Sequence, residues 1–169
     1  MPTQPIQADI VVLGAGPGGY AAAFYAADRG RKVLLVEQDK RLGGVCLNRG
    51  CIPSKALIHS AALWKRAKEA AIFGVTASNW SFDWGKAQRR KSEIVTTQVK
   101  GVHTLLGAAK VEVKRGVGSL VDPRTVRITA NGAGETVTGK AIIVACGSEP
   151  AGIPGVQVDG ERVLTSTEA

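Results

Sequence analysis

The sequence predicts an α/β fold built from a parallel sheet, a helical layer and a small antiparallel β-meander. Short apolar runs rich in β-branched residues alternate with stretches of helical periodicity, which is typical of parallel strands joined by helical crossovers. Asp-Pro and Asn-Gly turn signals between residues 119 and 139 indicate short antiparallel strands instead. The 44% apolar content, the 21 glycines and the 5% aromatic content suit one such domain better than an aromatic-rich β fold.

The first predicted element is a buried parallel strand at Asp9–Leu13, and a glycine-rich turn follows it directly. The turn reads GAGPGG, so Gly14, Gly16 and Gly19 match the spacing GxGxxG. In this pattern the first glycine permits a tight turn, the second lets a pyrophosphate approach the backbone, and the third lets the helix pack on the strand. The alanine-rich helix predicted at Tyr20–Asp28 directs its N-terminal N–H groups and its dipole to the same place.

A second strand, predicted at Arg31–Val36, ends at Glu37, 18 residues after Gly19. A carboxylate at this distance binds ribose hydroxyls in proteins that carry the same glycine pattern. The pattern alone is weak evidence, because a glycine-rich turn followed by an incidental acid would match it too. Its place between a strand and a helix, with Glu37 closing the next strand, favours a Rossmann-like dinucleotide site. The pattern does not distinguish NAD from FAD.

The segment Gly43–Lys55, which reads GGVCLNRGCIPSK, holds two of the three cysteines, Cys46 and Cys51. In an undistorted helix their Cα atoms would be about 8.6 Å apart, beyond the ~7 Å that a disulfide spans. Gly50 supplies backbone freedom and Pro53 disrupts helical hydrogen bonding, so the sequence allows a bent turn. Core packing, zinc ligation, a structural bridge and a redox pair are the competing interpretations. Three cysteines and two distant histidines do not make a finger-like zinc set, and a bridge closing so short a loop stabilises little.

The later elements follow from periodicity and turn signals. A helical stripe covers Ile52–Ala71, and a long amphipathic helix capped by Asp83 runs to about Ala109. Strands are predicted at 110–115, 119–121, 125–130, 136–139 and 141–146, the last of them buried. Cys146, at the end of that strand, is interpreted as a small buried residue.

The segment GGVCLNRGCIPSK resembles the active-site segment of the flavin-dependent disulfide oxidoreductases, most closely that of the dihydrolipoamide dehydrogenase branch. Glutathione reductase-like members have Val and Lys where this chain has Ile52 and Ser54, and Arg49 stands where a small apolar residue is usual. The resemblance covers essentially all 169 residues. It implies that residues 1–169 are an incomplete FAD-binding domain, with the NAD-binding and dimer-interface domains absent.

The resemblance also implies roles for individual residues. Cys46 and Cys51 would be the catalytic pair, with Cys46 exchanging with substrate thiols and Cys51 facing the flavin. Lys55 would lie near the flavin N5. The residues implied to bind FAD are Gly14, Gly16, Pro17, Gly18, Gly19, Glu37, Gln38, Gly43, Gly44, Val45, Cys46, Cys51, Lys55, Gly118, Ala145, Gly147 and Ser148. No metal site is expected.

Charge and hydropathy limit the classes of function. The net charge is +8, but the Lys and Arg clusters lie on helical patterns without interleaved aromatics, which favours solvated helix faces over nucleic-acid binding. No run approaches the ~20 apolar residues of a membrane helix. The N-terminus lacks a basic start followed by an apolar stretch, so a cytoplasmic protein without a membrane partner is expected.

The parent enzyme implied by the resemblance oxidises protein-bound dihydrolipoamide with NAD through the disulfide and FAD. Its partner would be the lipoyl-bearing protein of a 2-oxo acid dehydrogenase or glycine cleavage complex, and it would be a homodimer. Two alternatives stay open: a related mercuric or glutathione reductase-like enzyme, and a stand-alone FAD-binding module without turnover. The 169 residues alone are expected to be inactive, because no second glycine pattern for NAD is present in them.

Overall fold

The structure is a computed structural model that describes residues 6–168. In chain order its elements are β1 (Ile6–Leu13), α1 (Pro17–Asp28), β2 (Val33–Glu37), α2 (Gly44–Arg49), α3 (Cys51–Glu69), a 3₁₀ turn (Ala70–Phe73), α4 (Trp84–Ala108), β3 (Glu112–Arg115), β4 (Val117–Asp122), β5 (Thr125–Ala130) and β6 (Ala133–Val144). They build a six-stranded sheet of order β3-β2-β1-β6-β5-β4. Strands β3, β2, β1 and β6 are parallel, and β4, β5 and β6 are antiparallel neighbours. The predicted α/β fold with a parallel sheet, helices and a meander is confirmed.

The two central parallel strands, β1 and β2, pack against a different layer on each face, and β2 is buried throughout. Side chains alternate between the faces along a strand. Val12 and Leu35 belong to the cluster that includes buried residues of α1 and α4. Val11 and Leu34 point the other way and pack with Ile128 of the meander. The parallel sheet therefore lies between a helical layer and the meander, which explains why its strands read as continuous apolar runs.

The segment from Ala133 to Val144 is one continuous strand, whereas the sequence predicted two strands at 136–139 and 141–146. Its first half is antiparallel to β5, and from Val137 onward it is parallel to β1. Gly139 lies in this second part, where a Cβ would come within 2.9 Å of the Val11 side chain. The prediction ended one strand at Gly139 and began the next at residue 141, but this glycine instead lets β6 lie close against β1 without leaving the sheet.

Local signals predicted two other features correctly. The carboxylate of Asp83 accepts a hydrogen bond from the Lys86 backbone N–H at 2.9 Å and caps α4. Asn131 and Gly132 have positive φ values of 49° and 79°, as a tight hairpin turn between β5 and β6 requires. Within residues 6–168, no helix is both long and apolar enough to cross a bilayer.

Asp9 connects β1 to its two neighbours through charged and backbone groups. Its carboxylate lies 2.6 Å from the Lys140 ammonium and accepts a hydrogen bond from the Lys32 backbone N–H at 2.8 Å. The hydrogen bond from Lys140, followed by that from the Lys32 N–H, holds the pKa of Asp9 below its ordinary value of 3.8. Because the pKa is lower in the folded chain, this contribution to stability is complete above the ordinary pKa and is lost as the pH falls through the folded value.

We therefore expect Asp9→Asn to lower the urea midpoint of unfolding at pH 7 and to lower it less at about pH 2, below the ordinary pKa of this carboxyl, because the stabilisation is lost as Asp9 becomes protonated. Urea titrations of the wild-type and variant chains at the two pH values measure the difference. Lys140→Gln should reproduce part of the loss at pH 7. A difference between Asp9→Asn and wild type that persisted undiminished at acid pH would show that the carboxylate charge is not its cause.

Candidate functional site

A cavity of about 590 Å³ opens at the carboxyl ends of β1, β2 and β6. Parallel strands end at a common edge, and ligands of open α/β sheets bind where the strand order reverses, which here is at β1. The cavity wall contains thirteen of the predicted cofactor-binding residues: Gly14, Gly16, Pro17, Gly18, Glu37, Gln38, Gly44, Val45, Cys46, Gly118, Ala145, Gly147 and Ser148. The other four, Gly19, Gly43, Cys51 and Lys55, lie outside this lining.

Glycines let three backbone segments meet at the floor of the cavity. Gly14 has φ 95°, and a Cβ there would collide with the carbonyl of Ala145 just after β6. A Cβ on Gly19 would collide with the Gly14 carbonyl, so Gly19 is a packing residue of α1. A Cβ on Gly44 would come within 2.7 Å of the Gly16 Cα. Helix α2 therefore begins in direct backbone contact with the glycine turn.

Glu37 is the one polar or charged residue that is buried within the described part of the chain, with 7% of its surface exposed. One carboxylate oxygen accepts a hydrogen bond from the Ala15 N–H at 2.7 Å, and the other accepts from the Asp39 N–H at 2.9 Å. An ionised carboxylate has about four acceptor positions. Two backbone donors therefore satisfy the buried group while leaving capacity for hydroxyl donors of a ligand in the cavity.

Cys46 and Cys51 form a disulfide, with their Cα atoms 4.7 Å apart. Helix α2 carries Cys46, and Gly50, with φ −136° and ψ −107°, interrupts the helical path before α3 begins at Cys51. This break draws the cysteines together from the ~8.6 Å of a continuous helix. The predicted pairing is confirmed, although the short helix α2 had not been predicted. Cys46 lies at the cavity wall, whereas Cys51 is exposed to solvent outside it.

Pro53 does not cause the bend, contrary to the sequence interpretation. It lies in the first turn of α3, where backbone N–H groups have no helical acceptor, so proline is tolerated there. Gly50 alone provides the break. Lys55 follows Cys51 by one helical turn and is exposed.

Cys146 is a free and exposed thiol, so the prediction that it is buried is wrong. Strand β6 ends at Val144, two residues earlier than predicted, and the chain then passes along the open edge of the sheet. There Cys146 lies at the cavity wall, and its sulfur is 3.8 Å from the Leu13 carbonyl oxygen. The prediction that Cys146 is buried failed because the apolar run extends beyond the end of β6, so the run alone does not show that its last residue is covered.

Sequence reasoning missed an ion pair at the cavity wall. The Arg49 Nη2 atom donates to the Asp39 carboxylate at 3.2 Å, and both residues line the cavity. Arg49 lies between the cysteines and Asp39 follows Glu37 by two residues. The sequence predicted both segments to be functional, but no sequence spacing indicates that their side chains meet.

A family model described as pyridine nucleotide-disulphide oxidoreductase matches residues 8–169. A dihydrolipoyl dehydrogenase of Chlorobaculum parvum is 46% identical over 164 residues, covering 96% of this chain. One from Bacillus subtilis is 46% identical over 165 residues, covering 98% of it. The HOCl-induced flavoprotein disulfide reductase RclA from Escherichia coli, in a Cu(II) complex, superposes with a TM-score of 0.73 at 25% identity, covering 90% of this chain and 31% of RclA. The chain spans about 35% of the length of the two relatives named dihydrolipoyl dehydrogenase.

The arrangement of the three cysteines predicts their reactivity. We expect one thiol per oxidised chain to be alkylated under native conditions, because Cys146 is exposed while Cys46 and Cys51 are bridged. After reduction, three thiols should react. Mass spectrometry of the labelled peptides counts and locates them, and Cys146→Ser, which should show no native reaction, is the control. A bridge between Cys46 and Cys146 would contradict the arrangement.

Proposed function

The chain belongs to the pyridine nucleotide-disulphide oxidoreductase family, and from that premise we propose that it carries the FAD site and the redox-active disulfide of a dihydrolipoyl dehydrogenase. In this proposal residues 1–169 belong to the FAD-binding domain. The observation that carries it is that Cys46 of the disulfide lines the same cavity as Gly14 and Gly16, the first two glycines of the GxGxxG turn. The relatives' names favour dihydrolipoamide over the substrates of mercuric or glutathione reductases.

The residues around the cavity fit FAD. Gly14 and Gly16 leave the backbone at the start of α1 open to a pyrophosphate, and Glu37 has acceptor capacity for ribose hydroxyls. Gly118 continues the wall on β4, where a Cβ would come within 2.8 Å of the Leu13 side chain. We assign this position to the adenine end of FAD and the Cys46 position to the flavin end.

The cysteine pair would act by thiol–disulfide exchange. A thiolate of dihydrolipoamide attacks the Cys46 sulfur, forming a mixed disulfide and releasing Cys51 as a thiolate. The second substrate thiol loses its proton and attacks the substrate sulfur of the mixed disulfide, which closes the lipoamide ring and releases the Cys46 thiolate. The substrate is thereby oxidised by two electrons and the cysteine pair is reduced by two. FAD, when bound, supplies the two-electron step between the dithiol and NAD.

A direct test shows which of the two cysteine sulfurs exchanges with the substrate. Cys51 is the more exposed cysteine, yet we assign the exchange to Cys46, as the family resemblance implies. In Cys51→Ser the remaining Cys46 thiol should form a mixed disulfide with lipoamide that mass spectrometry detects. Cys46→Ser, the matched variant, should form it at least several-fold more slowly when FAD is bound. The opposite ranking would assign the exchange to Cys51.

The partners proposed for the whole enzyme follow from its substrate. A lipoyl-bearing protein of a 2-oxo acid dehydrogenase or glycine cleavage complex would present the dihydrolipoamide, and the enzyme would act as a homodimer. His59 and His103 are both exposed on helices and neither lines the cavity, so we give neither of them the role of the base that receives the substrate proton.

FAD binding is tested by titrating the purified chain and following flavin fluorescence. We expect saturable binding, and we expect bound FAD to slow the alkylation of Cys146, which lies at the cavity wall. Riboflavin, which lacks the dinucleotide, should protect Cys146 less at the same concentration. Saturable FAD binding that left Cys146 as reactive as before would place the flavin nucleotide elsewhere, and the absence of binding would contradict the proposed cofactor.

Glu37→Ala should weaken FAD binding by roughly 1.5–3 kcal/mol, the range for hydrogen bonds to a charged group. Glu37→Gln should lose less, because one acceptor oxygen remains. Since Glu37 also accepts from the Ala15 and Asp39 amides, the thermal midpoint of each variant is measured alongside the fluorescence titration. Equal FAD affinities of folded wild type and Glu37→Ala would remove Glu37 from the site.

A chain of these 169 residues, loaded with FAD, should show no NADH formation from dihydrolipoamide above a free-FAD control. Holding a nicotinamide against the flavin can lower the activation barrier by ~7–11 kcal/mol, and the glycine pattern for a dinucleotide occurs once in this sequence. The absorbance of NADH at saturating substrate is the measurement. Turnover that disappears in Cys46→Ser would show that these residues suffice.

A further inference from the structure

We propose that Arg49 is a positioning residue whose ion pair with Asp39 couples the disulfide turn to the carboxylate of Glu37. The proposal rests on the proposed function, since it treats the Glu37 end of the cavity as the ribose site. The coupled groups lie at two ends of one cavity, whose wall includes Cys46, Arg49, Asp39 and Glu37.

At the disulfide end, Arg49 is the last residue of α2 and directly precedes the break at Gly50. Any movement of the Cys46–Cys51 turn therefore moves the Arg49 backbone. The neighbouring Asn48 side chain donates to the carbonyls of Leu42 and Gly44, both at 3.0 Å, and so fastens α2 to the segment that precedes it. The Arg49–Asp39 pair, at 3.2 Å, is the contact that extends from this turn to the loop after β2.

At the other end, Asp39 is held at three points. Its carboxylate accepts from Arg49, its carbonyl accepts from the Arg115 guanidinium at 2.6 Å, and its N–H donates to Glu37 at 2.9 Å. The last of these bonds orients one of the two carboxylate oxygens of Glu37. A loop that loses its attachment to Arg49 would hold this amide, and hence the carboxylate, less firmly.

The solvent exposure of the Arg49–Asp39 pair determines how large an effect its removal should have. The side chains of Arg49 and Asp39 are 40% and 43% exposed, so water screens their attraction. Partly exposed ion pairs shift equilibria by a few-fold, and added salt weakens them. We therefore expect changes of about threefold at low ionic strength. Arg49→Lys, which keeps the charge but not the planar guanidinium, should fall between wild type and Arg49→Val.

The decisive test changes one end of the connection and measures the other. ADP is the probe for the ribose end, because it lacks the flavin and cannot act on the disulfide through that ring. Arg49→Val should weaken ADP binding about threefold, as measured by calorimetry. Asp39→Asn should speed the reduction of the Cys46–Cys51 disulfide by dithiothreitol about threefold, as measured by quenched-flow alkylation. The matched control is Arg41→Val, which removes an exposed arginine from the same loop.

The double variant Arg49→Val with Asp39→Asn should weaken ADP binding and speed disulfide reduction no more than the single variants do, because the two substitutions remove the same contact. Circular dichroism checks folding, and Arg49→Gln replaces Arg49→Val if the latter is unfolded. The proposal is overturned if Arg49→Val affects ADP binding no more than Arg41→Val does. It is also overturned if Asp39→Asn leaves the reduction rate unchanged. A wild-type chain that bound neither ADP nor FAD would contradict the proposed function, and the reduction rates alone would then decide whether Asp39 controls the disulfide.

Discussion

The structure depends on backbone segments that approach more closely than any side chain would allow. The turn after β1, the end of β6 and the start of α1 meet at Gly14, Ala145 and Gly19, where a Cβ on either glycine would overlap a carbonyl group. A second such contact joins Gly16 to Gly44 and places α2 beside the glycine turn. These two contacts determine the cavity and the position of the disulfide, because separating the backbone segments at either contact would move the cysteines away from the ends of the strands.

The charge of the cavity wall differs from that of the whole chain. The sequence carries a net charge of +8, but among the described residues of the wall Arg49 is the one cation, and it is paired with Asp39. Glu37 and Glu149 add negative charge to the same wall. In the proposed FAD site, attraction for the pyrophosphate would therefore come from the N–H groups and dipole at the start of the twelve-residue helix α1. The lysines and arginines outside the wall would act on such a ligand only at a distance that salt screens.

The two parts of the wall that the proposed function uses come from elements that are packed differently. Strand β1, which leads into Gly14, and strand β2, which ends at Glu37, are packed on one face by helices and on the other by the meander. The disulfide turn instead lies between two helices, and Gly50 interrupts its backbone hydrogen bonding. In the proposed function this arrangement would suit thiol–disulfide exchange, because the bridge would break and re-form beside a nucleotide site held by buried strands.

Local chemistry in the sequence determined the glycine turn and the cap at Asp83, because each depends on residues close together in the chain. The alternation of apolar runs with helical patterns determined the fold class, and the family resemblance selected the pairing of Cys46 with Cys51 from the alternatives that their spacing left open. The family resemblance predicted thirteen of the residues that line the cavity. Tertiary structure alone decided three things. It made β6 one strand across Gly139, because pairing with β1 continues through a residue that locally resembles a turn. It left Cys146 exposed, because burial depends on which layers cover a strand and not on how apolar the strand is. It brought Arg49 to Asp39, because a side-chain contact across ten residues depends on where the bend at Gly50 directs the helix.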